Sequence, residues 1–265
     1  MSGGATTGLR GVTPRGAGFG LLLFLLAALG ATEATATQQA GGQYEEIPVE
    51  GGATLTGQVF FDGDVPSPRR ILITRDMEIC GDGYRERSDV RLGEGGGLSN
   101  VVIVIEGIEA GKPWPEGVEA TTVNQEACAF TPHIQVVRRG SDLDIVNSDP
   151  ILHNIHGYER RDGGRRTLFN LGQPEQGTIR QMLRTARSSV VSLECDAHDF
   201  MLGWIWAAET PYAVEVDESG RFAIEDVPPG TYTVRAWHPY LGTQELAVTL
   251  DAESRSSIEV RFANE

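Results

Sequence analysis

The chain has 265 residues and a formal net charge of −15, from 37 acidic and 22 basic side chains. Such acidity argues against nucleic acid and anionic membrane surfaces as partners. It favours either solubility alone or a protein partner with a basic docking surface, because opposite charge raises the encounter rate. The length is enough for one large all-β domain or two small ones, each with a hydrophobic core.

The N-terminus predicts a secretory signal peptide at residues 1–36. Arg10 and Arg15 precede the apolar run 19–29, and Ala34-Thr35-Ala36 is a suitable cleavage site. The apolar run is short for a membrane span, so an uncleaved anchor is the lesser alternative and no span is expected in the mature chain. We therefore expect a periplasmic or secreted protein in which residues 37–50 form a flexible leader.

Strand patterns follow in almost every periodic segment after residue 50. They are β-branched or alternating runs bounded by Gly, Pro, Asp and Ser, and no long helical pattern accompanies them. The predicted strands are 54–61, 71–74, 101–105, 134–137, 143–146, 190–195, 221–224, 231–237 and 245–250. The Gly- and Arg-rich segment 158–177 is predicted to be a solvated loop, with a docking patch formed by its arginines as the lesser alternative. Many short strands separated by such turn residues predict an all-β sandwich or barrel.

A set of soft donor residues stands close together near the end of one predicted strand. Cys195, His198 and Met201 are spaced by three residues each, so one tight loop can wrap all three around an ion. His153 supplies a fourth donor from an earlier strand. Thiolate, two imidazoles and a weak axial thioether are the donor set that suits copper in electron transfer. The sequence therefore predicts a copper site with His153, Cys195 and His198 in a plane and Met201 above it.

Strand alternation supports two of these donors. In 190–195, Cys195 shares its face with two apolar residues, whereas the other face carries Ser and Glu. In the strand around 153, His153 shares its face with two isoleucines, and His156 falls on the opposite face. His153 is thus the better ligand, and His156 is expected to be structural or exposed. His133 and His238 are likewise expected to be core, loop or strand-end histidines.

The residues quoted above resemble those of a cupredoxin, of the plastocyanin and amicyanin kind. The resemblance covers about residues 123–209, and the Cys-x-x-His-x-x-Met loop is closest to the amicyanin pattern. The family implies a Greek-key β-sandwich with one type 1 copper that exchanges single electrons with a redox partner. It also implies that Asn154 joins the two ligand segments by hydrogen bonds.

Three cysteines, Cys80, Cys128 and Cys195, leave one thiol unpaired in an oxidising compartment. The simplest division pairs Cys80 with Cys128 and leaves Cys195 for metal. Pairing of Cys195 with either of the others remains the alternative.

The C-terminal segment 210–265 carries a second resemblance. Its D-x-x-G-x-F hairpin from Asp217 and its P-P-G-x-Y turn from Pro228 are similar to a carboxypeptidase regulatory-like, transthyretin-type β-sandwich. Segment 51–122 opens like the same module, so the two segments are expected to pair around an inserted copper domain. This resemblance implies a scaffold without catalytic chemistry.

Three classes of function follow from these patterns. The leading one is an exported carrier of single electrons, and the others are a copper chaperone or store and a metal-free scaffold or adhesive sandwich. An enzyme is not expected. The chain has no His-x-His pair for additional coppers, and it has no Ser/His/Asp motif.

Overall fold

Regular structure in the described part of the chain is almost entirely β. The computed structural model describes residues 44–117 and 120–264; the predicted signal peptide and the first part of the predicted leader lie outside them. Helix in these residues is confined to α1 (Met77–Cys80) and a short 3-10 turn (Glu94–Gly96). None of the described helices has the length and apolar character needed to cross a membrane.

The strands are numbered in chain order. They are β1 Glu45–Glu46, β2 Ala53–Asp62, β3 Arg69–Leu72, β4 Tyr84–Arg87, β5 Val102–Glu106, β6 Ala110–Gly111, β7 Ala120–Glu126, β8 Ala129–Thr131, β9 Ile134–Arg138, β10 Asp142–Asn147, β11 His153–Arg161, β12 Gly164–Gln173, β13 Gly177–Met182, β14 Val190–Cys195, β15 Leu202–Ala208, β16 Ala213–Glu215, β17 Arg221–Val227, β18 Gly230–His238, β19 Gly242–Leu250 and β20 Arg255–Ala263. The prediction of an all-β sandwich fold is confirmed.

Nine strands form what we call the central sandwich. Its sheets have the orders β13-β10-β7-β8 and β12-β11-β14-β15-β9. Neighbours are antiparallel except β7 with β10 and β9 with β15. The inner faces enclose a core that includes Ile145, Ile155 and Leu193, each at most 1 % exposed. Alternate residues of these strands face that core because side chains in a strand point to opposite faces.

The other large pair of sheets forms the terminal sandwich, with the orders β16-β5-β18-β19 and β17-β2-β20. Its strands come from both predicted segments, 51–122 and 210–265, and the central sandwich is inserted between them. Leu55, Ile103 and Phe262 lie in its core. The two sandwiches meet through a third apolar cluster in which Trp204 and Trp206 of β15 pack with Trp237 of β18.

One part of segment 51–122, residues 69–87, packs against the central sandwich instead of joining the terminal sandwich. The strands β3 and β4 form a hairpin around α1, and Ile73 and Cys80 of this excursion belong to the core of the central sandwich. We call residues 69–87 the flap. Sequence periodicity could not assign the flap to either sandwich, since its attachment is made by a few buried residues rather than by a strand pattern.

The prediction of a solvated loop at 158–177 is wrong. Strands β11 and β12 pair antiparallel from His153 opposite Gln173 to Arg161 opposite Gly164, with a turn between them. The polar composition concealed this hairpin because β12 keeps one face exposed. The Arg165 guanidinium of β12 stacks on the ring of Tyr158 in β11 and forms an ion pair with Glu194 in β14 at 2.6 Å.

Candidate metal centre

Two neighbouring strands bring the predicted donors to one end of the central sandwich. His153 is the first residue of β11, and Cys195 is the last residue of β14. Because Ile155 lies opposite Cys195 in the β11–β14 pairing, His153 falls just beyond the end of β14. His198 and Met201 lie in the short connection from β14 to β15.

That connection is folded by its own backbone. The N–H of His198 donates to the carbonyl of Cys195 at 3.3 Å, and the N–H of Met201 donates to the carbonyl of His198 at 3.0 Å. These two turns return His198 and Met201 toward Cys195. Met201 is 2 % exposed and belongs to the same core cluster as Cys195.

Three donor atoms converge in the interior. The Cys195 Sγ lies 3.9 Å from the Nδ1 of His153 and 3.7 Å from the Nδ1 of His198. One donor atom from each of these residues lies within 4.8 Å of the others, which is close enough to hold a single metal ion. All three residues are buried. Desolvation by burial lowers the pKa of His153, which favours the neutral imidazole that binds metals.

A carboxylate holds the far nitrogen of each imidazole. The Nε2 of His153 lies 2.8 Å from an oxygen of Asp149, and the Nε2 of His198 lies 2.8 Å from an oxygen of Asp76. A neutral imidazole that donates Nε2–H to a carboxylate keeps its lone pair on Nδ1. Both Nδ1 lone pairs are therefore directed by Asp149 and Asp76 toward the Cys195 thiol, as outer carboxylates do in metal sites.

Asp149 is itself fixed by the backbone. Its two oxygens accept the N–H groups of Ala127 and Cys128, each at 2.8 Å. Burial of Asp149 acts to raise its pKa, but the hydrogen bonds from Cys128, His153 and Ala127 outweigh burial and lower the pKa. The carboxylate therefore stays ionised and keeps its hold on His153.

Asn154 joins the two ligand segments. Its backbone N–H donates to the Cys195 Sγ at 3.4 Å, and its side-chain oxygen accepts the N–H of Asp196 at 3.1 Å. Burial is the main cause that raises the pKa of Cys195, and the N–H groups around the sulfur oppose it. The Asn154 N–H thus favours the thiolate, which is the form that binds metal.

Cys80 and Cys128 form a disulfide, and Cys195 is the free cysteine. Cys128 also lies near Asp149 and His153, but a sulfur in a disulfide offers no thiolate to a metal. The candidate donor set is therefore Cys195 with the two imidazoles, and Met201 is buried in the same core cluster as Cys195.

The remaining histidines lie outside this set. His156 is on the opposite face of β11, where its Nδ1 lies 2.7 Å from the hydroxyl of Tyr158 and 3.1 Å from a carboxylate oxygen of Asp196. The Nδ1–H of His133 donates to the carbonyl of Leu202 at 3.0 Å. His238 is fully buried, and burial is the main cause that lowers its pKa to about 4. These positions match packing and surface roles.

The residues present fit a copper ion. One cysteine sulfur and two imidazole Nδ1 atoms converge in a buried site, and this N/S mixture is soft enough for Cu(I) while still suiting Cu(II). Sequence analysis missed both orienting carboxylates. Asp149 stands four residues before His153, a spacing that could have suggested it, whereas Asp76 is 122 residues from His198.

Comparisons with known proteins match only parts of the chain. The model of a family described as polysaccharide lyase family 4, domain II, matches residues 188–260, just over a quarter of the chain. No curated protein matches. This match does not show the carboxypeptidase regulatory-like resemblance that was predicted for residues 210–265.

Solved structures similar to part of the chain are copper proteins. A purple cupredoxin from Nitrosopumilus maritimus is 16 % identical, with 33 % of this chain and 99 % of that chain covered at a TM-score of 0.29. Amicyanin from Paracoccus versutus is 17 % identical, with 40 % and 97 % covered at 0.28. A Cu-containing nitrite reductase from Thermus scotoductus is 19 % identical, with 34 % of this chain covered and only 23 % of that chain, at 0.27.

Proposed function

We propose that this protein is an exported type 1 copper protein that carries single electrons between redox partners. The observation that carries the proposal is the convergence of the Cys195 sulfur with the Nδ1 atoms of His153 and His198 in a buried site. Met201 is proposed as the weak axial donor, since it lies buried at the same end of the core.

The chain's own residues prepare this site for electron transfer. Copper, when bound, supplies a one-electron couple between Cu(I) and Cu(II). Asp149 and Asp76 hold the two imidazoles in fixed orientations, and Asn154 holds the sulfur from the backbone. Because the surrounding core is closely packed, the donors keep their positions in both oxidation states. A site that rearranges little exchanges electrons quickly.

Two coarser properties belong to the same proposal. Export is supported by the signal-like pattern of residues 1–36 and by a disulfide, which persists in oxidising compartments. A partner with a basic docking surface is supported by the net charge of −15, since charge complementarity speeds encounter.

The alternatives fit the site less well. A copper chaperone must hand its ion to another protein and therefore needs accessible donors, whereas His153 and His198 are at most 2 % exposed. For the terminal sandwich we propose a supporting role of the carboxypeptidase regulatory-like kind, because it packs on the central sandwich through buried tryptophans. We propose no catalytic role for either sandwich.

The proposal is tested by titrating the metal-free mature protein with Cu(II), followed by optical absorption and EPR. We expect one equivalent to produce an intense thiolate-to-copper band with a narrow hyperfine splitting. Cys195→Ser is expected to abolish the band, and the control His156→Asn, on the opposite face of β11, is expected to keep it. A protein that stays colourless, or a band that survives in Cys195→Ser, would contradict the proposal.

A further inference from the structure

The disulfide lies at a junction between the two carboxylates that orient the histidines. Cys80 ends α1, which begins directly after Asp76, and Cys128 donates its backbone N–H to Asp149. We propose that the Cys80–Cys128 disulfide is a brace that positions both imidazoles of the site through Asp76 and Asp149. The identity of the metal rests on the proposed function above, but the brace acts on the metal-free protein as well.

The first arm of the brace is the flap. Asp76 accepts the N–H groups of Ile79 and Cys80 on its backbone carbonyl, at 3.0 and 2.8 Å, while its side chain reaches the Nε2 of His198. Its backbone has φ 50 and ψ 39, a left-handed conformation that Asp adopts more readily than most residues other than glycine. The hydrogen bond from the Cys80 N–H to the Asp76 carbonyl links Asp76 directly to the residue that carries the disulfide.

The second arm is the turn from β7 to β8. Ala127 and Cys128 both have positive φ, at 48 and 55, and their N–H groups both point to the carboxylate of Asp149. Asp149 in turn holds His153. Any movement of Cys128 thus reaches His153 through two consecutive hydrogen bonds.

Arg85 joins the two arms a second time. Its guanidinium donates to the carbonyls of Ala127 at 2.7 Å and Cys80 at 3.2 Å, and it also donates to the carbonyl of Cys128. The same guanidinium lies 5.1 Å from the ring centre of Phe200, which packs against His198. The flap is therefore fastened to the turn by the disulfide and by two hydrogen bonds from Arg85, while the bond from Arg85 to the Cys80 carbonyl lies within the flap.

This arrangement explains how the outer edge of His198 is covered. The His198 side chain is fully buried even though it lies in a loop, and the carboxylate of Asp76 lies on its Nε2 side. Without the disulfide, α1 would keep only non-covalent contacts with the turn. We expect the flap then to open more often, exposing His198 and the Cys195 sulfur beside it.

The test uses the metal-free protein and the alkylation of Cys195 by iodoacetamide. Cys195 is the one free thiol in the intact chain and also in Cys80→Ser/Cys128→Ser, so the rates compare directly. We expect the double variant to react at least tenfold faster than the intact protein. Asp76→Ala is expected to accelerate the reaction as well, whereas Asp76→Asn, which can still accept the Nε2–H, is expected to stay within about threefold of the intact protein.

Two further measurements separate the brace from general destabilisation. Val260→Ala, in the core of the terminal sandwich, is expected to lower stability without changing the alkylation rate. In copper-loaded protein, added imidazole is expected to alter the optical spectrum of the double variant and not that of the intact protein. An unchanged alkylation rate in the double variant, or equal acceleration by Val260→Ala, would overturn the brace. Absence of the thiolate-to-copper band in the intact protein would instead overturn the proposed function.

Discussion

Glu159 is a buried carboxylate that fastens together the two strands bearing His153 and Cys195. It lies on β11 and is fully buried, and one of its oxygens accepts the N–H groups of Ala186, Arg187 and Ser188, just before β14. Its other oxygen pairs with Arg161. Burial acts to raise the pKa of Glu159, but these hydrogen bonds outweigh it and lower the pKa to about 2.

We predict that Glu159→Gln destabilises the fold in a pH-dependent way. The folded-state pKa lies below the ordinary value of 4.5, so the carboxylate contributes stability above pH 4.5 and loses it as the pH falls toward 2. At pH 7 the variant should lose about 3 kcal/mol, which follows from the size of this pKa shift. Urea unfolding at pH 7 and at pH 3 measures both values.

The control for Glu159 is Glu194→Gln, which removes an exposed ion pair with Arg165. Pairs of this kind contribute less than about 1 kcal/mol. The role given to Glu159 would be wrong if both variants lowered the free energy of unfolding equally at pH 7. It would also be wrong if the loss caused by Glu159→Gln were as large at pH 3 as at pH 7.

At the scale of elements, the hairpin of β11 and β12 depends on a close contact between a glycine and an aromatic ring. Gly157 lies opposite Phe169, and a Cβ at position 157 would stand only 2.4 Å from the Phe169 ring. The ring is buried in the central core. In the hairpin that begins with His153, the Phe169 ring of β12 therefore packs directly against the backbone of β11 at Gly157.

We expect Gly157→Ala to lower the free energy of unfolding by about 1–3 kcal/mol, since an added methyl group forces a buried ring to move. Gly164→Ala serves as the control, because a Cβ there meets no atom within 4 Å. In a double-mutant cycle, Phe169→Leu should recover part of the loss. Equal stability of the two alanine variants would show that the ring moves without cost.

At the scale of the whole molecule, three tryptophans join the two sandwiches. The ring centre of Trp237 lies 5.9 Å from that of Trp204 and 5.5 Å from that of Trp206, and each residue is at most 8 % exposed. Residues 44–117 and 120–264 belong to one compact unit by their contacts. The tryptophans therefore couple the terminal sandwich to the sandwich that carries the candidate metal-binding residues.

We predict that Trp237→Ala lowers stability by about 3–5 kcal/mol and separates unfolding into two transitions. Calorimetry and copper absorption, followed on the same sample, would report the two sandwiches separately. Phe222→Leu, in the terminal core and outside the tryptophan cluster, should cost stability without separating the transitions. A single coincident transition in Trp237→Ala would mean that the sandwiches are coupled by other contacts.

Local patterns explain which features were predicted. The spacing of Cys195, His198 and Met201 lies within one loop, and the alternation that turns His153 inward lies within one strand. Alternation along β14 predicted that Ser192 lies on the face away from the core. It did not reveal that this face is buried too, since Ser192 is fully buried. Periodicity describes a face of a strand, but it does not say what lies against that face.

By itself, the sequence determined the β architecture and the candidate donor residues, because strand alternation and the Cys195–Met201 spacing are local patterns. Tertiary structure alone decided which carboxylates orient the imidazoles, where the flap lies and how the sandwiches meet. Asp76 reaches His198 across 122 residues, and the disulfide spans 48. Contacts over such distances depend on how the sheets pack, and no local pattern encodes that packing.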